Sequence, residues 1–139
     1  MAPDIIINTD GGARGNPGPS AAGAVIRKGS SIIATVAEYL GEQTNNWAEY
    51  EALILALEKA HEVLGAELAT LSVEIRMDSQ LIVRQIEGRY KVKEPSLKEK
   101  YARVTDLLSR FAPNTLFVHI PREENTDADK LVNQVLDAL

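Results

Sequence analysis

The period of the apolar residues changes along this chain, and that change limits the folds open to it. Residues 5–9, 21–28 and 31–38 carry the short apolar or alternating runs of β-strands. The last two are separated only by Gly29-Ser30, a connection short enough for a hairpin. A helical period then runs over residues 45–64, with Thr44, Asn45 or Asn46 as its N-cap and Gly65 just beyond its end. Strand-like 71–77, helical 79–87 stopped by Gly88, and a helix opened by Pro95 and reaching about residue 111 follow. Residues 115–120 alternate like a strand, and 127–139 return to helical spacing at Leu131, Val132, Val135, Leu136 and Leu139. The order β-β-β-α-β-α-α-β-α predicts an α/β fold, a mixed five-stranded sheet whose antiparallel meander leads into β-α alternation, flanked by helices.

At 139 residues the chain is expected to form one domain, spanning 1–139, with a genuine core. No apolar stretch reaches the length of a membrane span, and the N-terminus lacks the basic and apolar regions of a signal peptide, so a cytoplasmic protein without membrane partners is expected. The absence of cysteine excludes disulfides, thiolate metal sites and thiol catalysis. A net charge of -5 argues against a general polyanion binder. Between Arg84 and Arg103, however, seven bases stand against three acids. This strip suits either local phosphate contacts or a solvated helical surface.

Four carboxylates sit where a hydrophobic element has just stopped or just begun. Asp10 follows the run Ile5-Ile6-Ile7-Asn8-Thr9 and precedes a Gly/Pro-rich turn. Asp78 follows the alternating run ending at Met77. In mixed sheets, ligands gather at the carboxyl ends of neighbouring parallel strands, where both would lie. Glu49 shares a helical stripe with Asn45, Ala52, Leu53, Ala56 and Ala60, while Glu51, Glu58 and Glu62 mark the opposite, solvated face. A buried carboxylate requires a partner, whether helix N-terminal amides, an arginine or a cation. Each acid also has a plainer role: Asp10 as a turn-former, Asp78 as an N-cap, and either Asp127 or Asp129 as the cap of the last helix. Acids that converge repel one another unless something positive joins them, and a divalent cation does that best.

With these residues assembled, the chain resembles the type 1 ribonuclease H family. Thr9-Asp10-Gly11-Gly12 followed by Gly15-Asn16-Pro17-Gly18-Pro19 is similar to the family's first strand and turn. Thr44-Asn45-Asn46-Trp47-Ala48-Glu49 is similar to its first helix start, and Met77-Asp78-Ser79-Gln80 to its next acid. Asn125-Thr126-Asp127-Ala128-Asp129-Lys130-Leu131 is similar to its last, which selects Asp129 over Asp127. Four motifs in the right order cover essentially the whole chain. The resemblance implies a ribonuclease H-like fold and endonucleolytic cleavage of the RNA strand of RNA–DNA hybrids, leaving 3′-hydroxyl and 5′-phosphate ends. It implies two Mg²⁺ or Mn²⁺ ions, with Asp10 shared between them, Asp129 on the side of the attacking water, and Glu49 and Asp78 on the side of the leaving oxygen. Hard oxygen ligands agree with those metals. Asn16, Asn45, Asn46 and Gln80 fall at family positions that contact the substrate backbone, Thr44 at its pocket for a DNA-strand phosphate, and Tyr90 near an aromatic that packs on a DNA sugar. A monomer is implied; some compact relatives also attack double-stranded RNA, and the sequence leaves that activity open.

Two departures shape further expectations. The stretch from Val118 to Asn125 is too short for the histidine-bearing loop of many relatives. His119 lies within the strand pattern and reads as structural, His61 receives no role, and Arg122 is the candidate for the loop's electrostatic task. The connection between Gly88 and Ser96 is too short for a long basic protrusion, so substrate binding is expected to be weak and salt-sensitive. A nuclease of another kind on this fold lacks the combination of Asn16-Pro17-Gly18 with Asn45-Asn46, and a non-catalytic binder is expected to lose at least one of the four acids.

Overall fold

A computed structural model describes residues 2–139. β1 (Ile5–Ala13), β2 (Gly18–Lys28) and β3 (Ser31–Gln43) are followed by α1 (Asn45–Leu64), β4 (Val73–Met77), α2 (Gln80–Ile86), α3 (Pro95–Leu108), β5 (Leu116–His119) and α4 (Thr126–Asp137). Short 3₁₀ turns cover Gly65–Thr70 and Arg122–Glu124. The five strands form one sheet in the order β3-β2-β1-β4-β5, antiparallel across β1, β2 and β3 and parallel across β1, β4 and β5. No helix among the described residues is long and apolar enough to cross a membrane.

Local chemistry sets the limits of the helices. Thr44 is extended, and its hydroxyl accepts a hydrogen bond from the Trp47 amide at 3.2 Å, capping α1. Gly65 ends that helix with a positive φ of 56°, a conformation other residues adopt at a cost. Pro95 occupies the first turn of α3, where its missing amide proton costs nothing.

Alternation along β1 distributes the two faces of the sheet. Ile5 and Ile7 join Ala24, Ile26, Val73, Ile75 and Met77 in a core completed by Tyr50, Leu53 and Leu57 of α1. On the other face, Val132 and Leu136 of α4 pack on Ala21. Two glycines allow the helices this close. A Cβ on Gly11 would lie 2.2 Å from the Ala48 carbonyl oxygen of α1, and one on Gly23 would lie 2.4 Å from the Ala128 carbonyl oxygen of α4. Any side chain at either position would push away the helix that carries Glu49 or Asp129.

Three sequence expectations are corrected. The first strand does not stop at Asp10 but continues to Ala13, because β2 supplies partners for poor strand formers: Asp10 opposite Gly23, Gly12 opposite Ala21 and Ala13 opposite Ser20. The acidic face of α1 is not simply solvated, since Lys100 reaches Glu51 at 2.9 Å and Arg103 reaches Glu58 at 2.8 Å from α3. The same pairs divide the basic strip: Lys100 and Arg103 serve helix packing, with the Lys100 ammonium 3.6 Å from the centre of the Trp47 ring.

Candidate active site

The last parallel pair between β1 and β4 is Thr9 opposite Met77, so the next residues, Asp10 and Asp78, leave that pair side by side. Glu49 descends onto them from the first turns of α1 over the bare Gly11. One carboxylate oxygen from each of Asp10, Glu49 and Asp78 falls within 4.8 Å of the others. Asp129, in the first turn of α4, comes near enough for its charge to raise the pKa of Asp10. The four acids line a cavity of about 350 Å³, with Asn45 and Arg122 also on its wall.

Burial and mutual repulsion dominate the electrostatics. Asp10 is 6% exposed, and its pKa is pushed up to about 8, first by burial and then by the charges of Asp78 and Asp129, with Arg122 opposing. Glu49 is held well above the usual carboxylate range by burial and then by Asp10 and Asp78, against the pull of the Gly11 amide and Arg122. Glu49 Oε2 is buried without a hydrogen-bond partner among the described residues. A buried lone pair with no donor, beside two more acids, suits a cation. The donors offered are all hard oxygens, which suit a hard divalent cation better than a softer metal.

The plainer roles for these acids go to other residues. Ser79, not Asp78, caps α2 by accepting from the Ile82 amide at 3.3 Å. Asp10 lies within a strand and not in the turn. Asp127 forms an ion pair with Arg27, while Asp129 faces the cavity. Neither caps α4, whose N-terminal residue outside the helix is Asn125.

The other sequence-derived candidates divide into groups. Asn16 and Asn45 clamp the turn after β1 to α1: the Asn45 amide donates to Asn16 Oδ1 at 3.0 Å, and the Ala13 amide donates to Asn45 Oδ1 at 2.8 Å. Thr44 sits beside them, exposed and capping the helix. Asn46 and Tyr90 line a second cavity of about 560 Å³, together with Arg89, Lys91 and Lys93. Tyr90 is held there by Arg84, whose guanidinium donates to the phenol oxygen at 2.5 Å and lies 5.3 Å from the ring centre. Gln80 is exposed at the start of α2. Arg122 joins the acids, whereas His119 is exposed at the end of β5, outside their cavity.

Sequence reasoning passed over Asn125, Asn133 and Arg14. Asn133 Nδ2 donates to Asp129 Oδ2 at 3.2 Å, and its own Oδ1 accepts from Arg14 at 3.4 Å. Arg14 also pairs with Asp137 at 2.6 Å. The spacing of Asn133, four residues after Asp129, is the signal that would have found that contact.

Comparison with known proteins agrees with this geometry. A family model described as reverse transcriptase-like matches residues 8–135. A bifunctional protein of Mycobacterium tuberculosis is 41% identical over 136 residues, covering 96% of this chain but only 36% of that protein. The chain therefore spans about a third of the length of this relative. A ribonuclease HI of Halobacterium salinarum is 42% identical, covering 92% of this chain and 62% of that one. LC11-RNase H1, isolated from compost by a metagenomic approach, superposes with a TM-score of 0.91 at 54% identity over 99% of this chain and 98% of its own. It has also been solved in complex with an RNA/DNA hybrid, with a TM-score of 0.90 to this chain over 96% of it. Matched along nearly its full length in sequence, fold and strand order, the chain belongs to the type 1 ribonuclease H family.

Proposed function

We propose that this protein is a metal-dependent endonuclease that hydrolyses the RNA strand of RNA–DNA hybrids and leaves 3′-hydroxyl and 5′-phosphate ends. The observation that carries the reading is the convergence of Asp10, Glu49 and Asp78 within 4.8 Å around an unpartnered buried oxygen of Glu49. The solved complex of the similar LC11-RNase H1 with an RNA/DNA hybrid supports the substrate class.

Asp10, Glu49, Asp78 and Asp129 would hold two Mg²⁺ or Mn²⁺ ions, which when bound supply a lowered water pKa and neutralise charge on the phosphate undergoing displacement. The asymmetry of the cluster supports the division of labour. Asp10 lies in the cluster with Glu49 and Asp78 and also feels the charge of Asp129, so it would be the acid shared between the two positions, as the family resemblance implies; Glu49 and Asp78 would complete one and Asp129 the other. Arg122 stabilises the ionised forms of Asp10 and Glu49, the forms a metal requires. This supports Arg122 as the candidate for the electrostatic task that the family resemblance assigns to a loop histidine.

Recognition of the hybrid is assigned to the rim. Asn16, Asn45 and Thr44 form a polar edge beside the acids, suited to the RNA backbone and its 2′-hydroxyls and to a neighbouring phosphate. Asn46 and Tyr90, with Lys91 and Lys93, form the second cavity, suited to the DNA strand, and Gln80 lies at the start of α2. The protein is proposed to act as a monomer.

The test is incubation of the protein with end-labelled RNA–DNA hybrid, double-stranded DNA and double-stranded RNA in Mg²⁺, with the product ends identified enzymatically. Internal cleavage of the RNA strand of the hybrid, with products carrying 3′-hydroxyls, is expected. Binding without cleavage in both Mg²⁺ and Mn²⁺ would make the protein a non-catalytic binder. Cleavage of double-stranded RNA would widen the substrate class.

A further inference from the structure

Asn125 is 1% exposed and lies behind the acids, not among them. Its side-chain Nδ2 donates to the Thr9 carbonyl at 2.8 Å and to Asp78 Oδ2 at 3.2 Å. Its Oδ1 accepts from Asn8 Nδ2 at 3.1 Å. Its backbone carbonyl accepts from the Asp129 amide at 3.1 Å, and its amide donates to the Arg122 carbonyl at 3.0 Å. One residue thus touches the strand just before Asp10, the carboxylate of Asp78, the turn of helix carrying Asp129 and the turn carrying Arg122.

These contacts require an asparagine. Two donors and one acceptor are used at once, which an amide supplies and an ionised aspartate, with no proton to donate, does not. Reversing the amide would turn Oδ1 toward two acceptors, so the network also fixes its orientation. Asn8 is fixed in turn: it is 6% exposed, and its Oδ1 accepts from Arg27, which is paired with Asp127. The ion pair of Arg27 and Asp127 anchors the far end of a chain of contacts that ends on Asp78.

We propose that Asn125 is the positioning residue of the metal centre. It aims the Asp78 carboxylate at Asp10 and Glu49, and it locks the start of α4 to β1 so that Asp129 meets Asp10. This inference rests on the metal-centre reading above. Partners that orient metal ligands without touching the metal typically govern affinity by about 10–100-fold.

The experiment is calorimetric titration of the substrate-free protein with Mg²⁺ and with Mn²⁺, alongside thermal unfolding in chelator. Asn125→Ala is expected to weaken metal binding about tenfold or more in the folded protein. On the hybrid it is expected to lower kcat, with KM little changed. Asn8→Ser leaves Asn125 and Asp78 in place but frees the amide to rotate, so a smaller loss of the same sign is expected. It carries the test if the alanine variant does not fold. Variants that melt earlier but bind metal within about twofold of the wild type would show Asn125 to be structural only and overturn the proposal. A folded wild-type protein that binds neither metal would overturn the metal-centre reading and this inference with it.

Discussion

Replacing Asp10 by asparagine is expected to stabilise the metal-free protein while abolishing its metal dependence. The charged oxygens of Asp10, Glu49 and Asp78 lie within 4.8 Å of one another. Two unit charges at that distance repel by about 3 kcal/mol at an effective dielectric near 20. The upward shift of Asp10 from 3.8 to about 8 leads to the same scale. At about 1.4 kcal/mol per pKa unit, the stability lost by pH 7, where the unfolded chain has ionised this group and the folded state still holds its proton, is on the order of 4 kcal/mol. Because the folded pKa is the higher one, the folded state keeps its proton longer than the unfolded chain. The stability contribution is therefore fully present below about pH 3.8 and is lost as pH rises through about 8. Asparagine cannot ionise and escapes that loss. Thermal unfolding followed by circular dichroism in chelator should show the variant melting about 10 °C higher at pH 7–8 and much closer to the wild type at pH 5. Added Mg²⁺ should raise the wild-type melting temperature at pH 8 and leave the variant's nearly unchanged. A variant no more stable than the wild type at pH 8, or a difference that does not grow with pH, would refute the reasoning.

Three further outcomes follow from the same geometry. Gly11→Ala places a methyl group 2.2 Å from the Ala48 carbonyl oxygen, so α1 must shift; a loss of about 1–3 kcal/mol in urea unfolding and a larger proportional loss of activity are expected, because Glu49 moves with the helix. Asp127→Asn breaks the partly exposed pair with Arg27 at the far end of the network, so a change of at most about 1 kcal/mol and a loss of cleavage no larger than that of Asn8→Ser are expected, whereas Asp129→Asn should lose cleavage without losing stability. Hybrid affinity, measured by fluorescence anisotropy, should fall steeply with salt, and the double variant Lys91→Ala, Lys93→Ala should flatten the log–log slope by about two; an affinity that barely changes between about 50 and 200 mM salt would contradict this.

The acids of the candidate site are more legible in the sequence than the contacts that position them. Glu49 was legible because an acid on an apolar helical stripe breaks the period that buries its neighbours. The parallel pairing that sets Asp10 beside Asp78 follows from the order of elements, although the full length of β1 does not, since Gly11 and Gly12 become strand only when β2 pairs with them. Asp127 and Asp129 were distinguishable by family motif alone; what separates them physically is Arg27, a hundred residues earlier in sequence than its partner Asp127. The tasks of Asn125, Gly11 and Gly23 were invisible for a common reason. A buried amide network and a close approach of backbone depend on atoms from elements far apart in the chain, and no local pattern records them. The solvated reading of Glu51 and Glu58 failed in the same way, because only the packing of α3 on α1 brings Lys100 and Arg103 to them.

The central claim is that the acid cluster holds metal in order to cleave RNA paired with DNA. Single-turnover cleavage of a labelled hybrid, with excess protein, tests it most directly when wild type and Asp10→Asn are compared in Mg²⁺ and in chelator. The account predicts internal cuts in the RNA strand for the wild type in Mg²⁺ only, and a rate at least about a thousandfold lower for the variant although it still folds and binds the hybrid. Cleavage that persists in chelator, or in the Asp10→Asn variant at a comparable rate, would contradict it.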